Sequence, residues 1–205
     1  MAGRPVDHER RAELLDRVVD YTVEHGFNDL SWRPIAAALD VSPTTLVHRF
    51  GSKEQMLQAV LERLRERIFE ATDAATTGRR PGLAEAARAV WERTSSPERD
   101  AEFRLFFAVY GRALQAPGQF SDFLDHVVTD WMNSLRDAQG PHTDPAAATR
   151  EATLVIATIR GLLLDLLATG DRARVQEAAE HFLSGLPGNP GRPAPVRPGA
   201  TGIPA

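Results

Sequence analysis

The sequence predicts an all-α protein of about nine helices. Apolar residues recur at the i, i+3, i+4 spacing of a helix face along nearly the whole chain. No run of strict apolar and polar alternation is long enough to propose a strand. Clusters of Gly, Pro and Ser fall between the periodic runs and divide them into separate helices.

Each element has its own signals. Leu14, Leu15, Val18, Val19, Thr22 and Val23 mark one face of a first helix, which Gly26 closes. Ser31 stands where a second helix needs an N-cap. Pro34 falls in its first turn, where a missing N–H is tolerated, and Ile35 to Leu39 form its apolar run. Asp40, Val41 and Ser42 interrupt the pattern. Ser42 as cap and Pro43 as first helical residue then start a third helix that reaches Arg49 or Phe50 and stops at Gly51. Ser52, with Gln55 three residues on, is a capping box that opens a long fourth helix through Met56, Leu57, Val60, Leu61, Leu64 and Ile68. The polar stretch 72–82 reads as a loop. Further helices are expected over 83–94, 97–115, 119–138, 145–168 and 171–184, with Pro- and Gly-containing breaks between most of them. The second half of the helix over 145–168 is apolar nearly all the way round, so it must be covered by its own core and by something else, in the first instance another chain. From Pro187 onward Pro, Gly and Arg dominate and little is left to bury, which predicts a disordered tail over 187–205.

Composition bounds the class. The chain has 205 residues, 42% hydrophobic and 25% charged, close to the averages of soluble globular proteins. It contains no Cys, which excludes disulfides, thiolate-bound metals and a cysteine nucleophile, and fits a reducing cytoplasm. Asp7, His8, Glu9, Arg10 and Arg11 precede any apolar run, unlike a signal peptide, and the greasiest stretch, 161–168, is short and carries Asp165. No membrane span is expected. The formal net charge of -4 fits poorly with a protein that grips nucleic acid over a broad surface.

Three short helices in the first 50 residues, the last two joined by a three-residue break, have the proportions of a helix-turn-helix module that lays its final helix in the DNA major groove. Spacing alone leaves a plain helical hairpin equally open. The residues decide further. Leu30-Ser31, Ile35-Ala36-Ala37-Ala38-Leu39, Val41-Ser42-Pro43-Thr44-Thr45-Leu46 and Phe50-Gly51-Ser52-Lys53-Glu54 together resemble the DNA-binding module of the TetR family of bacterial transcriptional regulators, whose pattern is LT-x-x-x-IA-x-x-LGVS-x-x-TLY-x-HF-x-x-K-x-x-L. The detailed resemblance covers 10–61; beyond it only helix number and length compare. It implies a DNA-binding module over 1–51 and a helical effector-binding and dimerisation domain over 52–186. It also implies a cytoplasmic, ligand-responsive repressor that binds a palindromic operator in double-stranded DNA as a homodimer and is released by a small molecule.

On the residues themselves, the free N–H groups and positive dipole end behind Ser42 and Pro43 suit a phosphate. Thr44, Thr45, Val47 and His48 are short or medium side chains that let a helix sit deep in the groove, Thr to bond a base edge and Val or Thr methyl to touch thymine. Ile35, Leu39, Leu46 and Phe50 read as core. Lys53, the only Lys in the chain, stands where the family places a phosphate-binding lysine. Ser31, Arg33 and Arg49 complete the candidate set, and Arg4, in an N-terminal arm, is a weaker one. Three positions depart from the family pattern: Asp40 replaces Gly at a turn that favours a left-handed backbone, Val47 replaces Tyr, and Arg49 replaces His or Tyr.

Eight of the 14 aromatic residues lie between Leu83 and Arg136. Singly they read as core; as a group they suit an apolar pocket, and the resemblance implies an effector site there, for which Phe106, Phe107, Tyr110 and Trp131 are the candidates. Ile159, Leu163, Leu166 and Leu167 are the candidates for a dimer interface in which the last two helices pair with their two-fold mates as a four-helix bundle. An enzyme is the competing class, but hydrolase, zincin, phosphate-loop and dinucleotide fingerprints are all missing from the sequence. Asp125 and His126 are adjacent and so face different ways, and Glu177 with His181 reads as a surface pair. No catalytic residue, metal ligand or cofactor is therefore expected. The runner-up is an all-helical ligand-binding protein without DNA affinity.

Overall fold

The computed structural model describes residues 4–26, 31–73 and 81–188. Within them the chain forms nine α-helices and no strand. In order these are α1 (Arg4–His25), α2 (Trp32–Leu39), α3 (Pro43–Phe50), α4 (Lys53–Asp73), α5 (Leu83–Thr94), α6 (Asp100–Gln115), α7 (Ser121–Ala138), α8 (Pro145–Thr169) and α9 (Arg172–Ser184). The stretches expected to be helical from Pro97 and from Gln119 each open differently. A single 3-10 turn, Pro97–Arg99 or Pro117–Gln119, precedes α6 and α7, with proline in its first position, where no N–H is needed. Helix α1 begins at Arg4, so that residue belongs to a helix and not to an extended arm; its side chain lies outside the described residues, as does the predicted tail beyond 188.

The punctuation of the head matches its chemistry. Ser31 holds the N-cap position of α2 with an extended backbone, although its hydroxyl makes no capping bond. Helix α2 ends on Asp40, whose φ of 53° and ψ of 48° place it in the left-handed region. The N–H groups of Asp40 and Val41 return to Ala37 O and Ala36 O, the paired bonds of a Schellman turn. Asp40 is the one non-glycine residue with positive φ among those described. Ser42 caps α3 by accepting from the Thr45 N–H. The capping box before α4 is reciprocal: Ser52 N–H donates to Gln55 Oε1 at 2.8 Å, and Gln55 N–H to Ser52 Oγ at 3.2 Å. Gly51, at φ 77°, suits that junction, since a Cβ there would collide with Gln55 Oε1 and break the box.

One continuous core runs through the molecule. In the head, Val18, Val19, Ile35, Leu39, Leu46 and Phe50 are buried and hold α1, α2 and α3 together, and Met56 and Val60 carry the core into α4. In the body, α7 packs along α8, α8 along α9, and α5 lies against α4, α7, α8 and α9. Polar ties fix the ends: Gly82 N–H donates to Ala138 O, Gln139 Nε2 to Ala148 O, and the Trp91 indole to Gln176 Oε1. Helix α6 spans the two parts, with contacts to α1 on one side and to α7 and α8 on the other.

Candidate nucleic-acid interface and effector cavity

Helix α3 is amphipathic over eight residues. Leu46 and Phe50 are buried, while Pro43, Thr44, Val47 and His48 are exposed on the other side. Val47 is 44% exposed and stands on the surface of the helix between polar neighbours, not in the core. Ser42 and Thr45 hold each other: besides the capping bond, their hydroxyls lie 2.8 Å apart, and Thr45 is half-buried. Those two fix the start of the helix, and Thr44, Val47 and His48 form its outward edge. Arg49 is half-buried, and its carbonyl accepts from Arg11 Nε at 3.1 Å, with the Arg11 guanidinium 5.6 Å over the Phe50 ring. Arg17 donates to Leu39 O and so caps the C-terminal end of α2. Two cations of α1 are thus tied to the head itself. Ser31 and Arg33 are exposed at the start of α2, and Lys53 is exposed as the first residue of α4, which packs on α3.

Two acids of α1 are paired with arginines of α4. Asp16 accepts from Arg63 Nε at 2.7 Å and Arg67 Nη2 at 2.8 Å, and Asp20 from Arg67 Nη1 at 2.6 Å. The hydrogen bond from Arg63 holds the Asp16 carboxyl below its ordinary value against the opposing effect of burial. This network clamps α1 to α4 and neutralises acid that would otherwise oppose a polyanion.

The aromatic region gathers as expected, with corrections. Phe106 meets Phe107 edge-on with ring centroids 5.4 Å apart, and Tyr110 and Phe123 at about 6 Å. Phe103, Phe106 and Phe107 of α6, Trp131 and Leu135 of α7, and Val155, Ile156, Ile159, Arg160 and Leu163 of α8 line a cavity of about 20 Å³. That is room for about one water molecule. Phe106, Phe107 and Trp131 are on the wall; Tyr110 is behind it, its hydroxyl 3.5 Å from Arg160 Nη1. Phe107 also lines the groove between α6 and the end of α1, beside Val23, His25 and Gly26.

Ile159, Leu163 and Leu166, expected at a dimer interface, are at most 3% exposed and belong to the protomer's own core, two of them on the cavity wall. A side chain already buried has almost no surface to give a partner. Leu167 is half-buried. The outer face of α8 is instead Leu154, Ala157, Gly161, Leu164 and Ala168, all exposed at alternating spacings of three and four, with Leu154 and Leu164 at 57% and 49%. Helix α8 is long and apolar enough by composition to cross a membrane, with a mean hydropathy of 1.7 over its best window. Its two apolar faces, one in the core and one open, account for that.

Sequence reasoning misses Arg160. It is the lone charge between Ala152 and Leu164, and that interruption of an apolar run is the available signal. Burial pulls its guanidinium below the ordinary value, and the rings of Phe106 and Tyr110 stand 5.9 and 5.3 Å from it.

Residues 15–60 match the family model described as bacterial regulatory proteins, tetR family. The whole chain is similar to a crystal structure of a transcriptional regulator from Rhodococcus sp. Rha1, at 23% identity and a TM-score of 0.69, covering 85% of this chain and 94% of that one. It is similar to a TetR-family transcriptional regulator from Streptomyces coelicolor, at 25% identity and a TM-score of 0.57, with 85% and 95% covered. A third, at 22% identity and a TM-score of 0.65 with 91% and 97% covered, is the multidrug binding protein EbrR complexed with imidazole. No curated protein matches the sequence closely enough to count as a relative. Residues 15–60 thus carry the helix-turn-helix module of the tetR family of bacterial regulatory proteins, a DNA-binding module, and the all-helical body behind it has the fold of the transcriptional regulators it resembles.

Proposed function

We propose that the protein is a ligand-responsive repressor that binds a palindromic operator as a homodimer and lets it go when a small molecule enters the cavity between α6, α7 and α8. The observation that carries the DNA-reading half is the outer edge of α3, where Thr44, exposed Val47 and His48 stand over a buried Leu46 and Phe50. Thr44 and His48 bond base edges, Val47 meets a thymine methyl, and Lys53, Arg33 and the capped start of α3 hold phosphates.

The dimer joins through the outer face of α8. Leu154 and Leu164 lie on one stripe with Ala157 and Gly161, whose small side chains let a two-fold mate approach closely. Covering the exposed half of each leucine contributes about 1 kcal/mol. The stripe lies on the same helix as the cavity wall, so the effector site and the dimer face share α8.

Release requires the effector to favour an arrangement in which the two α3 helices no longer fit the operator. Phe107 supplies the link. It borders both the cavity and the groove at the end of α1, so displacing its ring shifts α6 against α1, and α1 is clamped to α4 through Asp16 and Asp20.

Selection of bound sites from random duplex DNA tests the regulator reading. Enrichment of a palindrome with half-sites about one helical turn apart or more is expected. A pool that stays random through successive rounds sinks the proposal.

A further inference from the structure

The cavity wall holds one charged group, and its surroundings say what it lacks. Arg160 projects from α8 into a wall otherwise made of aromatic and aliphatic side chains. Its guanidinium donates to Val127 O and, at 3.5 Å, to the Tyr110 hydroxyl. Among the described residues no carboxylate lies within 4.0 Å of it, whereas Arg63, Arg65, Arg67, Arg88, Arg172 and Arg174 each have one. A guanidinium carries five N–H donors in a planar fork, of which these contacts occupy two. Arg160 is partly buried, and a partly desolvated cation without a counter-charge is a cost to stability that an apolar residue of similar volume would avoid. Its fork matches the two oxygens of a carboxylate, and the apolar wall around it matches a hydrocarbon or aromatic body.

We infer that the cavity takes an amphipathic organic acid, its carboxylate held by Arg160 with the Tyr110 hydroxyl beside it and its apolar body lying among Phe106, Phe107 and Trp131. This rests on the reading of that cavity as the effector site and adds the chemical class of the effector. Of the wall residues, Phe107 and Trp131 are half-buried, while Phe103, Phe106, Leu135, Ile159 and Leu163 are buried. An entering acid therefore moves Phe107, the ring that also borders the end of α1. A cationic ligand of the same shape is repelled by Arg160, and a neutral one leaves the guanidinium uncompensated.

Calorimetric titration of the full-length protein with decanoate and 4-phenylbutyrate, each beside its primary amide, tests this. The acid is expected to bind about 10- to 100-fold more tightly than its amide, the range of a charge-assisted bond in a dry site. Arg160→Met is expected to abolish that preference while retaining amide binding, with the folded state checked by circular dichroism. Should that variant fail to fold, the acid-to-amide ratio in the wild type alone decides. Equal affinities, no binding by either acid, or a preference that survives in Arg160→Met overturns the inference. None of these bears on whether the protein selects an operator, and release of operator DNA by neutral or cationic compounds would leave the ligand-responsive reading standing while sinking this one.

Discussion

Asp40 shows how a departure from a family pattern is absorbed. A turn that wants a left-handed residue usually takes Gly, because a Cβ crowds the following carbonyl there, yet Asp visits that region several-fold more often than bulky residues. The structure keeps Asp40 at φ 53° with both Schellman bonds made, so the turn survives with modest strain. Asp40→Gly is expected to stabilise the protein by about 0.5–1 kcal/mol in denaturant unfolding, relief of strain outweighing the added freedom of the unfolded chain. Lys53 carries a different expectation. Its exposed ammonium at the start of α4 is the proposed phosphate contact and not a base reader, so Lys53→Ala should weaken binding to all sequences alike. The slope of log affinity against log salt should fall by about 0.9 for each phosphate no longer neutralised, two per dimer, as read by fluorescence anisotropy over a salt series. An unchanged slope removes Lys53 from the interface.

Helix α8 marks the limit of what periodicity reveals. Where capping chemistry is distinctive, as at Ser42-Pro43 and Ser52 to Gln55, the sequence locates the helix starts to the residue and the structure shows the predicted bonds. The head's core is legible for the same reason, since Ile35, Leu39, Leu46 and Phe50 stand on one side of short helices with polar opposite sides. In α8 both sides are apolar, so spacing cannot tell the face that packs inward from the face left open, and it puts Ile159, Leu163 and Leu166 on the wrong one. The tertiary neighbours that decide this, α6 and α7, are far away in sequence. The correction has a sharp consequence. Leu164→Arg, on the open face, should yield folded monomers in sedimentation velocity, whereas Leu163→Ala, in the core, should cost about 2–5 kcal/mol of stability and leave the dimer otherwise intact. A persistent dimer in Leu164→Arg moves the interface elsewhere. The α1–α4 clamp is open to a test by pH. Because Asp16 titrates below its ordinary 3.8 when folded, its contribution is fully present above about pH 4 and is lost as pH falls through the depressed folded value. Asp16→Asn should therefore lower stability at neutral pH by about 1 kcal/mol or less, the pair being partly exposed, and the deficit should vanish in strong acid.

The net charge of -4 takes on a definite meaning once the ion pairs are placed. Residues 1–56 hold seven Lys or Arg against nine acids, so the head is not basic overall. Two of those acids, Asp16 and Asp20, face arginines of α4, and from Val41 to Lys53 the sequence has two cations and no acid. With the segment from Val41 to Lys53 as the proposed DNA-facing edge, the contact is narrow and not a positive field, so non-specific binding should be weak and affinity should rest on a few contacts, doubled in the proposed dimer. Sequence preference must then come from α3 itself. The most direct measurement is site selection from random DNA run in parallel on the wild type and Thr44→Ala. The expected result is a palindrome for the wild type and, for Thr44→Ala, the same palindrome altered at one symmetry-related pair of positions, with the salt slope unchanged. Identical motifs from both proteins, or none from the wild type, would contradict the reading of α3 as the sequence-reading helix.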